Sequence, residues 1–472
     1  MRTKSKKTNG YIIYAVSGTN TVSFAIDFRD ADTKNLLGFA VERLNKVTGE
    51  RKYVDGFKVF NATHPDPNQY TVVSTYTQPV QSFVWDDFTC RDDNEYEYLF
   101  YPLKGTPKKL DRTAKPISIR TKTEKTFTGK QHDIFFNRGV ASSQAYRRIF
   151  FNLAPDKIYN AYMKAAALNW LSRQLDDAII KFIDQAESGD TLLGCFYEFH
   201  YAPVLKAFKK ALDRGVIVKI IIDAKENETV DKKGKVHESF PRNVNLSSLT
   251  DAEIPITKSA GIIWRREANK NDIQHNKFIV LIDNSKQNKA TQVWTGSTNM
   301  SMGGVHGQTN VGHWVRSQKV ARQYKAYWEI LSEDPGGKEG DDQKTSTLKM
   351  NELRKKVEAL QETIVFHSWD DIPNGVTPVF SPRTGTSMLE TYVRMFDNAE
   401  SMAGVTLAFG INKLFKDVLE DNTDINHISF FLLEKEDKPT KANKDAFRFI
   451  GAKQNVYKSW GAYIEDDLYQ WA

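Results

Sequence analysis

Residues 273–301 read IQHNKFIVLIDNSKQNKATQVWTGSTNMS, and the reading of the fold turns on this stretch. Two runs rich in β-branched and aromatic residues, KFIVLID and TQVWTG, flank the polar NSKQN, the pattern of two strands joined by a loop. The polar residues at the outer ends of the runs are the informative ones. His275 and Lys277 open the first strand, and Gly296, Ser297 and Asn299 close the second. Side chains two apart on a strand share a face, so His275 and Lys277 reach the same side.

Upstream the text is α/β. An amphipathic helix with Leu175, Ile179, Phe182 and Ala186 leads into the strand TLLGCFYEF, and the helix VLKAFKKAL then turns at Gly215 into the strand VIVKIIIDA. This is a β-α-β unit. Downstream, DPGGKEGDDQKTSTL (334–348) reads as a linker and NELRKKVEALQETI as a short amphipathic helix. The first half then repeats. IFFNRG (134–139) is echoed by PVFSPRTG (378–385), FIDQAES ending at Ser188 by MFDNAES ending at Ser401, VLKAFKKAL by INKLFKDVL, and VIVKIIIDA by ISFFLLEKE.

Up to about Thr123 the runs TVSFAIDF, LLGFAVERL, ERKYVDGFKVF, YTVVSTYT, VQSFVWDDF, NEYEYLFYPLKG and PISIRTKT alternate apolar with polar residues. Short alternating runs broken by Asn, Asp, Gly and Pro are the grammar of a β-sandwich. Trp85, followed by Tyr96, Tyr98 and Tyr101, makes this region similar to a fibronectin type III or immunoglobulin-like module. It carries no acid, base or metal constellation, so a docking element and a plain scaffold are both open.

Composition bounds the class. With 472 residues the chain is expected to form two or three domains. At 40% hydrophobic, 12% aromatic and 26% charged it reads as a soluble globular protein. No apolar run approaches the roughly 18 residues of a membrane span, and the basic start lacks a sustained apolar stretch, so a cytoplasmic location is expected. The two cysteines, Cys90 and Cys195, argue against a disulfide framework and a cysteine metal site. A net charge of +7 suits polyanionic partners such as nucleic acid or an anionic membrane surface, and equally a merely soluble surface.

His-x-Lys followed by Gly-Ser-x-Asn at the end of the next strand resembles the active-site motif of the phospholipase D superfamily, whose fold is built from two similar α/β halves. The resemblance implies a multidomain chain. A β-sandwich spans 1–124, a first phospholipase D-like repeat with the motif 125–333, a linker and helix 334–366, and a second repeat, cut short before its own motif, 367–472. It also implies a chemistry. One histidine attacks phosphorus to form a phosphohistidine, the other protonates the departing alcohol, and water reverses the roles. On that pattern His275, Lys277 and Asn299 are catalytic, and Ser297 and Asn299 donate to the phosphate oxygens. No cofactor and no metal are expected, because no cluster of Asp, Glu and His has ligand spacing.

The chain departs from the family pattern in two places. The acidic residue after the lysine, Asp283, comes one position later than usual. The downstream carboxylate that orients the histidine would fall near Asn310, where none exists. Asp283 and Glu198 are therefore the candidate orienting carboxylates, Glu198 against the plainer reading of a solvated glutamate at a strand end. No other histidine is followed two residues on by lysine, and His427, in the second repeat, reads as structural. At the interval of the repeat, a second motif would lie beyond Ala472. We therefore expect the site to be completed by a missing C-terminal segment or by homodimerisation, the third option being a non-catalytic binding protein with a degenerate half-site. The substrate implied is a phospholipid. The competing enzyme class is a nuclease acting on DNA or RNA, suggested by Lys206, Lys209, Lys210, Arg214, Arg265 and Arg266.

Overall fold

The computed structural model describes residues 1–68, 71–139, 144–269 and 272–407, and beyond these only 412, 414–415, 427–433, 455–461 and 471. The chain divides into two compact units, Met1–Ile134 with Ser142–Asn152, and Phe135–Ala141 with Leu153–Ala472.

The first unit is rich in sheet. One antiparallel sheet orders Arg2–Lys4, Ile12–Ser17, Val22–Asp27 and Val84–Asp87. A second orders Lys109–Asp111, Glu95–Thr106, Gly38–Asn45 and Arg51–Tyr53, with Ile117–Lys122 also paired to Glu95–Thr106. Alternation sends Ile13, Ala15, Phe24 and Ile26 from the first and Val41, Tyr98, Phe100 and Ile119 from the second into one core. Phe24 stacks on Trp85 and meets the edges of Tyr98 and Phe100. Through that core Arg43 of the second sheet bonds Asp87 of the first at 2.9 Å, and Tyr98 donates its hydroxyl to the same carboxylate at 3.0 Å.

Two of the runs expected as strands pair over only part of their length. ERKYVDGFKVF pairs only over Arg51–Tyr53 and Asp55–Gly56, and YTVVSTYT only over Val73–Ser74. Their remaining amides find nearer partners, the Phe60 amide on the Gln78 side chain and the Thr77 and Gln78 amides on the Ser74 carbonyl. The first compact unit continues past 124 to Ile134. Thr126 bonds the Asp92 carboxylate through amide and hydroxyl, and Thr128 bonds Asp133, so the polar connector is fastened to the first unit.

A seven-stranded sheet, whose first strand is where the chain passes from the first unit into the second and whose other strands all belong to the second, runs His132–Phe136, Val311–Val315, Lys289–Gly296, Lys277–Asp283, Thr191–Phe196, Ile217–Asp223, Ile263–Arg266. The last three are mutually parallel and carry the expected β-α-β unit, with Ala202–Asp213 as its helix. The strand Lys277–Asp283 lies at the centre, antiparallel to both neighbours. Its side chains divide by parity. Phe278, Val280 and Ile282 pack with Val320, Tyr327, Trp328 and Leu331 of the helix Gln318–Ser332. Lys277, Ile279 and Leu281 lie on the other face, level with Phe196, Gly194 and Leu192.

The second half of the segment read as a linker is helix. Gln343–Glu358 begins where Asp342 accepts the Thr345 amide, and Leu353 and Val357 join the sheet's core. Its polar, threonine-rich first turns hid that start. Farther on, the helix Ser387–Asp397 precedes a parallel sheet ordered Met402–Leu407, Ile428–Leu433, Val456–Trp460. Met402 faces Ile428 there, as Thr191 faces Ile217 in the larger sheet. The echo INKLFKDVL lies mostly outside the described residues, and ISFFLLEKE is described only to Leu433. His427 is buried.

Candidate active site

The antiparallel centre of the sheet brings the start of Lys277–Asp283 beside the end of Lys289–Gly296, and both beside the end of Thr191–Phe196. Three chain segments thus meet at one edge. Phe196 faces Lys277, and the Tyr197 amide donates to the Asn276 carbonyl at 3.1 Å, extending the pairing to the motif itself. The segment after Gly296 then crosses over. Met300 forms a parallel bridge with Phe199, its amide bonding the Glu198 carbonyl and its carbonyl accepting the His200 and Tyr201 amides.

Two glycines permit this crossing. A Cβ on Gly296 would stand 2.1 Å from the Val311 carbonyl oxygen, and one on Gly304 would stand 2.4 Å from the Asn299 carbonyl oxygen. Only a residue without a side chain lets the Gly303–Gly307 turn press against Asn299.

Lys277 is 5% exposed, and its Nζ donates to the His275 carbonyl at 2.8 Å and lies 5.6 Å over the Tyr197 ring. Burial pushes the ammonium down to about 8, against the opposing pull of Glu198. His275 is exposed, its ring centroid 5.0 Å from that of Tyr197. Burial of part of its ring, then the Lys277 charge, hold its imidazole below the ordinary range, with Glu198 offsetting them. Asn299 is 7% exposed and donates Nδ2 to Glu198 Oε1 at 2.8 Å, while its buried Oδ1 has no hydrogen-bond partner.

Glu198 is the hub. Its Oε2 lies 3.5 Å from His200 Nε2, and its side chain is 16% exposed, which removes the reading of a solvated strand-end glutamate. Burial alone would raise its carboxyl. Polar contacts with the His200 and Ser301 side chains, and the attraction of the Lys277 ammonium, outweigh burial and hold it below the usual glutamate range.

The structure does not bring the other expected residues to this cluster. Asp283 ends the strand that Lys277 begins, roughly 20 Å away at about 3.3 Å per residue, and is taken up by Ser285 and Lys286. Ser297 donates its hydroxyl to Asn310 Oδ1 at 2.8 Å and accepts the Val311 amide at 3.0 Å, so it fastens the loop in place of a carboxylate there. Tyr197, His200 and Ser301 were missed. The available signal was Glu-x-His at 198–200, whose spacing puts two polar side chains on one face just as His-x-Lys does. Among the described residues no group of three or more His, Cys, Asp or Glu is placed to hold a metal ion.

Of the basic residues that suggested a nuclease, Lys209 is paired with Asp213, Arg214 bonds the carbonyls of Ala186 and Ile183, and Arg266 is buried on Asp334. Lys206, Lys210 and Arg265 are exposed. No helix of the described residues is long and apolar enough to cross a membrane.

Residues 179–331, which contain every member of this cluster, match the family model described as cardiolipin synthase, PLD-like domain. The chain therefore carries a PLD-like domain. Among solved structures, it is similar to a phospholipase D family member, Nuc, from Salmonella typhimurium, at 21% identity over 32% of this chain and 83% of that one, TM-score 0.23. It is also similar to NucT from Helicobacter pylori, at 18% identity over 34% and 90%, TM-score 0.24. The phosphatidylserine synthase of Haemophilus influenzae shares 9% identity over 59% and 66%, TM-score 0.36. No curated protein sequence matches.

Proposed function

We propose that this chain is a phospholipase D-like phosphodiesterase that cleaves its substrate through a phosphohistidine on His275. One observation carries the reading. His275, Lys277 and Asn299 are gathered from two strands around one ionised carboxylate, Glu198, within the PLD-like domain. A neutral imidazole beside a buried ammonium is a nucleophile next to a phosphate anchor, and the Asn299 amide can donate to a second oxygen. These groups supply the charge stabilisation themselves, so turnover without a metal is expected. Asp283 takes no part, and Glu198 is the orienting carboxylate.

The second helix-and-parallel-sheet element, with the same order and pairing interval as the first, supports the reading of two similar halves. The first unit's two sheets around one core support a fibronectin type III-like or immunoglobulin-like positioning domain. For the substrate, the exposed Leu153, Tyr159 and Tyr162 and the pairing of half the basic residues favour a phospholipid over nucleic acid. Salt separates the two, since nucleic-acid binding weakens steeply with ionic strength and insertion of apolar side chains into lipid does not. A second histidine from another copy of the chain, or from a further C-terminal segment, would complete the site in the manner of two-motif relatives.

The test is hydrolysis of bis(p-nitrophenyl) phosphate, in chelator and over a range of protein concentrations, by the wild type and by His275→Ala. Turnover that survives chelator and vanishes with His275 supports the reading. Equal turnover by both proteins overturns it, as does the absence of any turnover from folded wild type at every concentration.

A further inference from the structure

We propose that Tyr201 is the positioning residue of Asn299, gripping at two points the turn that packs on it. The inference rests on the phosphodiesterase reading and extends it to a residue outside the motif. Asn299 leads into the Gly303–Gly307 turn, and that turn lies directly on it, since a Cβ on Gly304 would stand 2.4 Å from the Asn299 carbonyl oxygen and 2.9 Å from its Cβ. Wherever the turn moves, Asn299 moves with it. Tyr201 donates its amide to the Met300 carbonyl at 2.7 Å, and its hydroxyl lies 2.9 Å from Nε2 of His306. Glu198, earlier in the same short segment, accepts from Asn299 itself at 2.8 Å. The segment 198–201 therefore holds residues 299, 300 and 306 together.

The surroundings fix the donor and acceptor in this clasp. His306 is 1% exposed, and its Nδ1 lies 3.1 Å from the Leu168 carbonyl, which can only accept. Nδ1 therefore carries the proton, and Nε2 is the acceptor left for Tyr201. Burial, against the pull of Asp176, holds the imidazole below the ordinary range and keeps it neutral. Burial and then Asp176 push the Tyr201 phenol upward, so its hydroxyl remains a donor. That proton goes to His306, the nearer acceptor, since the Asp176 carboxylate is 3.4 Å away. Asn137 and Asn310 hold the turn as well, through the carbonyls of Val305, Gln308 and Gly304. With one Nδ2 hydrogen on Glu198, Asn299 has the other for a phosphate oxygen. Such a donor must be held in place, because a displacement of about 1 Å can cost about 100-fold in rate.

Tyr201→Phe removes one oxygen and keeps the ring, and circular dichroism checks that the variant is folded. On bis(p-nitrophenyl) phosphate we expect its kcat to fall roughly tenfold with KM within about twofold of wild type, because Asn299 is displaced from where it serves the transition state. His306→Leu, which opens the clasp from its other end, should lose as much. Asn299→Ala should itself lose roughly 100-fold, the scale for one donor to a developing charge. Adding Tyr201→Phe to Asn299→Ala should cost less than about twofold more, since the residue being positioned is gone. A folded Tyr201→Phe or His306→Leu variant with wild-type kcat, even one that unfolds earlier on heating, makes the clasp structural and overturns the proposal. Losses that multiply in the double variant overturn it as well, because Tyr201 then acts by a route other than Asn299. His275→Ala retaining the wild-type rate, or a wild type inactive on this ester, would instead overturn the phosphodiesterase reading on which this rests.

Discussion

Raising the pH from 7 to 10 isolates one residue of the site, Lys277. Its ammonium, pushed down to about 8 chiefly by burial, bonds the His275 carbonyl and is the proposed anchor of the phosphate. At pH 9 about a tenth of such a lysine remains charged, and at pH 10 about a hundredth. If only the ammonium binds productively, kcat/KM follows that fraction and falls roughly tenfold per pH unit above 8. The acid limb belongs to His275, which attacks as the neutral ring. Its lowered imidazole places that limb below the ordinary value of about 6.5. Since kcat/KM reports the free enzyme, it carries these values, while kcat reports the complex, in which a bound anion draws the lysine back up.

The assay is the pH profile of kcat/KM on bis(p-nitrophenyl) phosphate at constant ionic strength, for the wild type and for Lys277→Arg. The guanidinium does not titrate in this range, so the variant, at whatever lower rate its bulk allows, should be flat from pH 8 to 10. An alkaline limb that persists unchanged in Lys277→Arg refutes the argument. A wild-type profile with no decline before pH 10 refutes it as well.

Three further outcomes are expected. Glu198→Gln keeps an acceptor for Asn299 but removes the charge that favours the protonated forms of His275 and Lys277, so both limbs of the same profile should move to lower pH; unmoved limbs would mean the carboxylate does not act on them. Gly304→Ala puts a methyl 2.4 Å from the Asn299 carbonyl oxygen, and thermal unfolding of the second unit should show a loss of about 1–3 kcal/mol together with reduced turnover. Asp87→Ala strips the buried Arg43, 4% exposed, of its closest carboxylate and should cost the first unit about 3–5 kcal/mol, seen as an earlier transition in denaturation while hydrolysis by the second unit survives.

The motif strands were legible because an unbroken apolar run such as Phe278–Ile282 has one comfortable home, the middle of a sheet, and His275 and Asn299 could then fall only at its edge. Distances along a strand were legible too, yet they were set aside for Asp283. Six residues of extended chain carry it to the opposite end of the sheet, where a turn serine and a lysine claim it. Glu198 was harder. Its surroundings depend on the bridge between Phe199 and Met300, a contact between segments far apart in sequence that no local pattern announces. For the same reason His200 went unread. The helix Gln343–Glu358 was concealed by its own composition, since its threonines and lysines carry little periodicity until Leu353 and Val357 meet the core. In the first unit, side-chain acceptors such as Gln78 outbid neighbouring strands for amides, a competition invisible to alternation alone.

The register shift between Leu281 and Ile282 has a use for engineering. It separates the part of the hairpin that carries the turn at Asn284–Lys286 from the part that carries the cluster at the other end. Residues added or removed at the turn are absorbed on its own side of the shift, where exposed side chains face water. The turn is therefore the natural port for a fluorophore, an affinity tag or an inserted peptide, reporting on the protein from a distance while leaving the chemistry at the opposite edge unaware of the cargo.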